Sequence, residues 1–241
     1  MSAPPTTPLV ERNGRGSLGQ IKDRLRDFAH ATLSPAVLAL DRAGLRADHV
    51  TWAGLAIAIM AGYAFFDGHS RLASAFLVLA GLCDILDGEL ARRATTRSKF
   101  GAFLDSTLDR LGESAALVGI TAFCVRNLVA LSYQPTEVLA QMSIGLTPAT
   151  WGVLAVTASL ALVGSFMVSY TRARAEGLGI DCKVGWFERP ERLVLLIIAG
   201  ALKVFWAMSF ALLVLTVFSF ITAAQRVAHV HKHTRGSGSD A

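Results

Sequence analysis

Residues 84–109 read DILDGELARRATTRSKFGAFLDSTLD, and this segment is the most informative one for predicting the fold. It carries two pairs of carboxylates at helical spacing, Asp84 with Asp87 and Asp105 with Asp109. Residues three or four positions apart lie on the same face of a helix, so each pair should share one face. Because apolar runs flank the stretch on both sides, it predicts two membrane helices joined by a short basic loop.

Carboxylates in a membrane helix are costly, at about 2.5–3.5 kcal/mol each on insertion scales, and they usually mark a functional site. Four of them converging on one place would repel one another unless cations lay among them. Hard oxygen ligands suit Mg²⁺ or Mn²⁺, and a pair of such ions is a common device for displacement at phosphorus. The stretch therefore indicates a site for two divalent cations, Mg²⁺ or Mn²⁺.

The composition of the 241-residue chain is typical of a multi-spanning membrane protein, since apolar residues make up 53% and the mean hydropathy is +0.48. The net charge of +5 indicates positive-inside loops and contacts with anionic membrane lipids rather than with nucleic acid. The three cysteines are too few and too scattered for a disulfide framework, and we expect them to be small apolar fillers.

The expected fold is an all-α integral membrane protein with six transmembrane helices preceded by an N-terminal amphipathic surface helix. The spans should cover residues 50–66, 72–91, 100–125, 148–170, 193–202 and 205–224. Asp48 should cap the first span, Thr147-Pro148 should open the fourth, and the last two should meet near residues 200–203. Four segments result, namely a disordered tail (1–16), cytoplasmic amphipathic and juxtamembrane helices (17–45), the membrane domain (46–228) and a polar tail (229–241).

The segment that begins at Leu18 is predicted to be a basic amphipathic helix on the cytoplasmic membrane surface, with a soluble or partner-binding helix as the alternative. The apolar residues that recur on one face are Leu18, Ile21, Leu25 and Phe28. Ser34-Pro35 should start a second short helix that Gly44 closes. At the other end of the chain, the histidines of residues 229–233 could bind metal, but a frayed polar tail is the expectation.

Six spans place both termini on one side of the membrane, and the charges indicate which side. The termini and the loops after the second and fourth spans hold most of the Lys and Arg, whereas the opposite side has only Arg71, Arg126 and Lys203. By the positive-inside rule, the termini and the acidic stretch are cytoplasmic. We therefore expect a multi-pass protein of the cell inner (plasma) membrane whose site faces the cytosol.

The acidic stretch fits a longer pattern, D-G-x2-A-R-x8-G-x3-D-x3-D, which runs from Asp87 to Asp109 without a gap. This pattern resembles the signature of the CDP-alcohol phosphotransferases, integral membrane enzymes of phospholipid synthesis, and the resemblance covers about residues 46–228. It implies that Asp84, Asp87 and Asp105 ligate metal. It also implies that Asp109 is both a metal ligand and the base that takes the proton from the acceptor alcohol.

The resemblance implies further that the alcohol attacks the β-phosphorus of a CDP-linked lipid, that CMP leaves, and that the enzyme is a homodimer. The residues that it assigns to CDP-diacylglycerol binding are Asp48, Thr51, Gly88, Arg92, Ser98 and Gly101. Gly88 and Gly101 lack side chains, so nucleotide or backbone can approach closely, although tight helix packing is an alternative reason for both glycines. Ala47 stands where the family often has proline.

Two further motifs, RARAE at residues 172–176 and FERPERL at residues 187–193, resemble those of the bacterial phosphatidylinositol phosphate synthases and their archaeal relatives. This resemblance implies that Arg172, Arg192 and Arg226 bind the phosphate of inositol phosphate, which arginine can hold through bidentate hydrogen bonds. Arg172 stands where these relatives usually have lysine. The alternative interpretation is that the arginines serve only the positive-inside topology.

The expected function is Mg²⁺-dependent transfer of the phosphatidyl group from CDP-diacylglycerol to inositol phosphate, which gives phosphatidylinositol phosphate and CMP. Two alternatives share this chemistry: a phosphatidylglycerophosphate synthase, whose acceptor is glycerol 3-phosphate, and an archaeal-type synthase that uses a CDP-diether lipid. Serine and free inositol fit less well, because neither needs three arginines. The remote alternative is an ion-coupled transporter, but its acids should lie near mid-membrane within internal repeats, and the sequence has no such repeat.

Overall fold

The computed structural model of the protein describes residues 35–93, 98–133 and 141–237, and within these ranges the chain is mostly helical and has no β-strand. The helices that follow residue 46 in this part of the chain are α1 Ala47–Phe66, α2 Ser70–Arg93, α3 Lys99–Tyr133, α4 Pro148–Glu176, α5 Arg189–Leu202 and α6 Phe205–Ser237. Four of them, α1, α3, α4 and α6, are long and apolar enough to cross a membrane by length and composition. The prediction of an all-α membrane protein is therefore confirmed.

Helices α2 and α5 do not meet the same criterion, each for its own reason. The C-terminal half of α2 carries the first acidic pair together with Glu89, Arg92 and Arg93, and these charges lower its mean hydropathy. Helix α5 has only 14 residues, which is short for a membrane span. The prediction of six spans is thus supported for four helices and stays a prediction for these two.

The chain divides into two compact units, Met1–Leu45 and Arg46–Ala241. In the first unit, residues 35–42 form a short helix, and Gly44 follows it with a φ of +71°, a left-handed conformation that glycine adopts without strain. The amide of Leu45 donates a hydrogen bond to the carbonyl of Leu40 at 3.1 Å, so this helix ends at Gly44 as predicted. The surface helix expected from Leu18 and the cap expected at Ser34 lie outside the described residues.

The predicted role of Asp48 as the cap of the first span is wrong. Helix α1 begins at Ala47, and its N-cap residue is Arg46, whose amide donates to Nδ1 of His49 at 3.2 Å. Asp48 lies within the first turn instead. A carboxylate is favourable there because the N-terminus of a helix carries a partial positive charge.

Two helices run further than the sequence predicted. Helix α3 continues through Asn127 to Tyr133, and the Asn127 side-chain amide donates to the carbonyl of Phe123 at 2.8 Å. Helix α6 continues to Ser237, so the expected frayed tail is wrong as far as residue 237. In this last part the Thr234 hydroxyl donates to the Val230 carbonyl at 3.1 Å. Polar side chains that bond to their own helix backbone remain compatible with the helix.

The boundaries expected at Thr147 and near residues 200–203 are confirmed. The Thr147 hydroxyl accepts a hydrogen bond from the amide of Thr150 at 3.2 Å and so caps α4. Helix α5 ends where Lys203 adopts a left-handed conformation, with a φ of +54°, and α6 starts two residues later. The sequence signals for these helix ends were local, which is why they could be read correctly.

The six helices of the second unit form a closed ring, in which each helix packs against two others in the order α1, α2, α5, α6, α4, α3 and back to α1. Large side chains that are fully buried in the core include Leu77, Leu117, Leu196, Leu212 and Leu215. Helix α1 packs against both α2 and α3, the two helices that carry the acidic pairs. It therefore holds these pairs next to each other.

Glycines let α1 and α3 cross almost backbone to backbone. A Cβ atom added to Gly62 would overlap the backbone carbonyl of Ala115, and one added to Gly119 would overlap the backbone carbonyl of Gly62. Small residues at a crossing allow such close approach between membrane helices. The close crossing keeps α3, and with it two of the carboxylates, at a fixed distance from α1.

Candidate active site

Three of the four carboxylates meet between α2 and α3. Carboxylate oxygen atoms of Asp84, Asp105 and Asp109 all lie within 4.8 Å of one another. Asp84 comes from α2 and the other two come from successive turns of α3. The expectation that the helical spacing brings carboxylates from the two helices together is confirmed for these three.

Asp87 lies beside this group, one turn along α2 from Asp84, and only 5% of its surface is exposed. Thr51 of α1 lies across the same cleft as Asp87, and its hydroxyl donates to the carbonyl of Ala47 at 3.0 Å. Thr51, Asp84, Asp87 and Asp109 line one cleft, whose volume is about 20 Å³. All four predicted metal ligands thus belong to one small region.

The residues of this region fit a divalent metal ion. The three clustered side chains offer hard oxygen atoms, which are the ligands that Mg²⁺ and Mn²⁺ prefer. In addition, Oδ1 of Asp105 is buried and has no hydrogen-bond partner among the described residues. Because a buried carboxylate oxygen without a partner is unfavourable, this atom is suited to ligate a cation.

Arg189, the first residue of α5, reaches into the acidic cluster from a third helix. Its Nη1 lies 3.0 Å from Oδ2 of Asp84, and its Nη2 lies 2.8 Å from Oδ1 of Asp109. Sequence reasoning gave Arg189 no role, although it is the first arginine of the FERPERL motif. The available signal was its position at the start of a helix, one turn before Arg192, which the sequence analysis had assigned to the acceptor site.

Three of the residues predicted to bind CDP-diacylglycerol lie together at the start of α3. The Ser98 hydroxyl accepts a hydrogen bond from the amide of Gly101 at 3.2 Å. A Cβ atom on Gly101 would come within 3.4 Å of Oδ1 of Asp48, so the Asp48 carboxylate lies directly over this glycine. The absence of a side chain at position 101 therefore lets Asp48 of α1 approach the backbone of α3.

Arg92 folds back along α2 over Gly88. A Cβ atom at Gly88 would lie 3.5 Å from Nη1 of Arg92. Glu89 holds the guanidinium in place, since its Oε2 accepts from Nε at 3.1 Å and from Nη2 at 2.8 Å. Gly88 thus provides the room in which the Arg92 side chain lies on the helix surface.

Two of the three predicted acceptor arginines share one glutamate. Oε1 of Glu188 lies 4.0 Å from Nη1 of Arg172 and 3.7 Å from Nη2 of Arg226. Arg226 is 2% exposed and also donates to the backbone carbonyls of Val168 and Val184. Arg172 is more open, at 39% side-chain exposure. Both guanidinium groups therefore lie near Glu188, the residue preceding α5, while Arg172 pairs more closely with Glu176 at 2.9 Å.

Arg192, the third predicted acceptor arginine, is paired elsewhere. It is 1% exposed, and its Nε and Nη2 lie 2.6 and 2.8 Å from the two carboxylate oxygens of Glu113 on α3. The Ser165 hydroxyl of α4 donates to the same carboxylate at 2.9 Å. This bidentate pair ties α5 to α3 in the interior, so the role of Arg192 as a phosphate ligand stays a prediction.

Sequence reasoning missed Glu113. A signal was present, because Asp105, Asp109 and Glu113 follow one another at intervals of four residues and so lie along one face of α3. The third acid of this series is buried within an apolar stretch. Such a residue calls for a buried cationic partner, but its spacing alone does not indicate which arginine supplies it.

Comparisons with known proteins show the family to which this chain belongs. The family model for CDP-alcohol phosphatidyltransferase matches residues 45–222. An archaetidylinositol phosphate synthase of Methanothermobacter thermautotrophicus is 37% identical over 194 residues, which cover 79% of this chain and 85% of the relative. The phosphatidylinositol phosphate synthase of Mycolicibacterium smegmatis is 35% identical over 207 residues, which cover 83% of this chain and 84% of the relative.

Solved structures of a related enzyme share the fold. A crystal structure of Mycobacterium tuberculosis phosphatidylinositol phosphate synthase with CDP-DAG bound matches with a TM-score of 0.67 at 28% identity, over 81% of this chain and 92% of that one. A structure of the same enzyme with manganese and citrate matches with a TM-score of 0.66 at 28% identity, over 81% and 87%. The resemblance inferred from the acidic pattern is confirmed, and this chain is a transferase that belongs to the CDP-alcohol phosphatidyltransferase family.

Proposed function

We propose that this transferase moves the phosphatidyl group of CDP-diacylglycerol to inositol phosphate and releases CMP. The observation that carries the proposal is the contact pattern of two consecutive residues. Arg189 contacts the acidic cluster, while Glu188 contacts Arg172 and Arg226. Arg172 and Arg226, which can together bind an anion, therefore lie next to the acid cluster. An acceptor that carries a phosphate group needs such an anion site beside the carboxylates.

The names of the relatives support the same acceptor. The Mycolicibacterium smegmatis and Mycobacterium tuberculosis relatives are both phosphatidylinositol phosphate synthases, and CDP-DAG is bound in one structure of the latter. The Methanothermobacter thermautotrophicus relative, named an archaetidylinositol phosphate synthase, favours a CDP-diether lipid as the second candidate donor. Glycerol 3-phosphate has no such support, and it serves as the comparison acceptor below.

The acid cluster would hold the divalent ions. We propose that Asp84, Asp87, Asp105 and Asp109 bind two Mg²⁺ ions, with Mn²⁺ as a substitute, since manganese is bound in a structure of a relative. When bound, such ions neutralise the diphosphate of the CDP-lipid and stabilise the charge of the departing CMP. The carboxylates of the chain hold the ions in place.

Asp109 is proposed to be the general base. Its carboxylate takes the proton of the acceptor hydroxyl while the hydroxyl oxygen forms a bond to the β-phosphorus and the bond to CMP breaks. Asp109 suits this role because its side chain is 16% exposed and lies beside the region bordered by Glu188 and Arg189. Base catalysis of this kind requires the hydroxyl to come within hydrogen-bonding distance of the carboxylate.

The nucleotide portion would lie along the starts of α1 and α3 and the end of α2. We propose Asp48, Thr51, Gly88, Arg92, Ser98 and Gly101 as its contacts. The clustering of Asp48, Ser98 and Gly101 and the position of Thr51 in the same cleft as Asp87 support this assignment. Arg92 would contribute positive charge after exchanging its partner Glu89 for phosphate.

We propose that Arg172 and Arg226 bind the phosphate of the acceptor, while Arg192 positions the start of α5 through Glu113. The exposure of Arg172 and the shared contact with Glu188 support the first part. The burial of Arg192 and its bidentate pair support the second part. Removing one partner of a buried ion pair typically costs about 3–5 kcal/mol, so a variant of Arg192 would report on folding as well as on binding.

Orientation and assembly are also proposals. We infer six spans, with α2 and α5 completing the ring formed with the four strongly apolar helices, and cytoplasmic termini and active site in the plasma membrane. The concentration of Lys and Arg at the termini and in the loops beside the acid cluster supports this orientation. Homodimerisation is proposed from the family resemblance.

The direct test is CMP release from CDP-diacylglycerol by the purified protein with Mg²⁺, in separate reactions with inositol phosphate, free inositol, glycerol 3-phosphate and serine. We expect inositol phosphate to be the best acceptor, because two arginines favour a phosphate dianion. A parallel series with a CDP-diether lipid identifies the preferred donor. Faster release with glycerol 3-phosphate or free inositol would contradict the proposed acceptor, and no release with any alcohol would contradict the transfer itself.

Asp109→Asn should lower the rate of CMP release by roughly 10²–10⁴-fold, the usual contribution of a general base. Binding of CDP-diacylglycerol should persist, since three carboxylates remain to hold the ions. Single-turnover CMP release and the Kd for the CDP-lipid separate the two effects. Asp67→Asn is the matched control, because Asp67 is 46% exposed and pairs with His69 and Arg126 at the opposite end of α1 from Asp48. Near-normal turnover in Asp109→Asn would rule out this residue as the base.

Arg172→Gln should raise the KM for inositol phosphate by roughly ten- to a hundredfold, which corresponds to losing one charge-assisted hydrogen bond. The Kd for the CDP-lipid should stay unchanged, since those contacts come from α1, α2 and α3. Arg174→Gln is the control, because Arg174 is an exposed arginine on another face of α4. If both variants changed the KM equally, the effect would reflect general surface charge rather than an acceptor contact.

A further inference from the structure

The carboxylates of the acid cluster already have a cation of their own in this structure. The guanidinium of Arg189 bridges two of them, at 3.0 Å from Asp84 and 2.8 Å from Asp109. A planar guanidinium presents several donors in a fixed fork, which lets it bind two carboxylates at once. Arg189 is thus a residue of α5 whose guanidinium links the carboxylate of Asp84 on α2 to that of Asp109 on α3.

Arg189 pairs with residues that metal ligation would also need. Asp84 and Asp109 are two of the three residues in the candidate metal group, and the guanidinium of Arg189 pairs with both. The cleft lined by Arg189, Asp84 and Asp109 measures about 20 Å³, which is room for roughly one water molecule. Mg²⁺ usually keeps several of its waters, so a hydrated ion and the guanidinium would compete for these carboxylates and for the room beside them.

The attachment of Arg189 suits a side chain that can leave. Its side chain is 23% exposed, and its Nε has no hydrogen-bond partner in the described part of the chain. Arg192, one turn further along α5, is the opposite case, because it is 1% exposed, Glu113 holds its Nε and Nη2, and its Nη1 donates to the Phe187 carbonyl at 3.4 Å. Arg192 therefore anchors α5, whereas the Arg189 side chain is held through its terminal guanidinium nitrogens, by Asp84 and Asp109.

The preceding residue indicates where the displaced charge would go. Glu188 is 40% exposed and faces Arg172 and Arg226, so the start of α5 borders the region proposed for the acceptor phosphate. If the Arg189 side chain moves away from Asp84 and Asp109, it still projects from the start of α5, next to Glu188. It then adds positive charge next to the place where an anionic acceptor binds.

We propose that Arg189 is an internal cation that neutralises Asp84 and Asp109 until divalent metal ions displace it. The inference rests on the assignment of metal to this cluster in the proposed function. Arg189 is a positioning residue in this scheme, because it limits the repulsion among the carboxylates and keeps α2, α3 and α5 together. The same contacts make the cluster bind metal ions less tightly than the carboxylates alone would.

The test is the affinity of the detergent-purified protein for Mn²⁺, measured from the electron paramagnetic resonance signal of the free ion, without lipid or acceptor. Arg189→Gln should bind Mn²⁺ roughly ten- to a hundredfold more tightly than the wild type, because the metal no longer has to break charge-assisted hydrogen bonds. Mn²⁺ should also raise the Tm of the variant more than that of the wild type, since tighter binding gives greater stabilisation.

Arg189→Lys keeps the charge but loses the fork, so its Mn²⁺ affinity should lie between those of the wild type and Arg189→Gln. This variant also serves if Arg189→Gln fails to fold. Arg174→Gln, which removes an exposed arginine away from the cluster, should leave the Mn²⁺ affinity unchanged. A purely structural role for Arg189 would lower stability without tightening metal binding.

The proposal is overturned if the folded variants bind Mn²⁺ no more tightly than the wild type. This outcome is distinct from a failure of the proposed function. A wrong acceptor would appear as faster CMP release with another alcohol, and a wrong donor as faster release from the CDP-diether lipid. Neither result would change the order of Mn²⁺ affinities. The ratio of the Mn²⁺ affinities of the wild type and a variant depends only on whether the side chain at position 189 pairs with the carboxylates.

Discussion

Repulsion among carboxylates packed at the meeting point of α2 and α3 is the constraint on which the rest of the structure depends. Oxygen atoms of Asp84, Asp105 and Asp109 lie within 4.8 Å of one another, and Asp87 lies beside them with 5% of its surface exposed. In a region of low dielectric constant such an arrangement is unfavourable without positive charge among the acids. Arg189 supplies positive charge to Asp84 and Asp109 in this structure, with Arg110 a further 3.9 Å partner of Asp109, and metal ions supply it in the proposed catalytic state.

The surrounding helices keep the acids close in spite of this repulsion. The crossing of α1 and α3 at Gly62 and Gly119 brings two backbones into contact, and the buried pair of Glu113 with Arg192 ties α3 to α5. One face of α3 therefore carries two kinds of acid. Glu113 is paired with an arginine inside the protein, whereas the carboxylates nearer the start of the helix are those proposed to exchange their partner for metal.

The sequence predicted the parts of the site that depend on local geometry. The helical period indicated that Asp84 with Asp87 and Asp105 with Asp109 each share one face of a helix, and local signals marked the start of α4 and the end of α5. The pairs formed by Arg189 and Arg192 could not be read in this way, since their partners lie 105 and 79 residues away in sequence. Such pairs are set by the ring order of the helices. The lengths of α3 and α6 were also missed, because polar side chains there bond to their own helix backbone instead of ending it.

We propose that the acid cluster is a metal site and that Arg189 pairs with its carboxylates until the metal ions bind. It can be tested most directly by a crystal structure of the protein grown with Mn²⁺ and CDP-diacylglycerol, with diffraction recorded for anomalous scattering from manganese. We expect anomalous peaks within coordination distance of the carboxylates of Asp84, Asp105 and Asp109. We also expect the Arg189 guanidinium to have moved away from Asp84 and Asp109. Peaks that lie elsewhere, or a guanidinium that still bridges these two aspartates beside bound manganese, would contradict it.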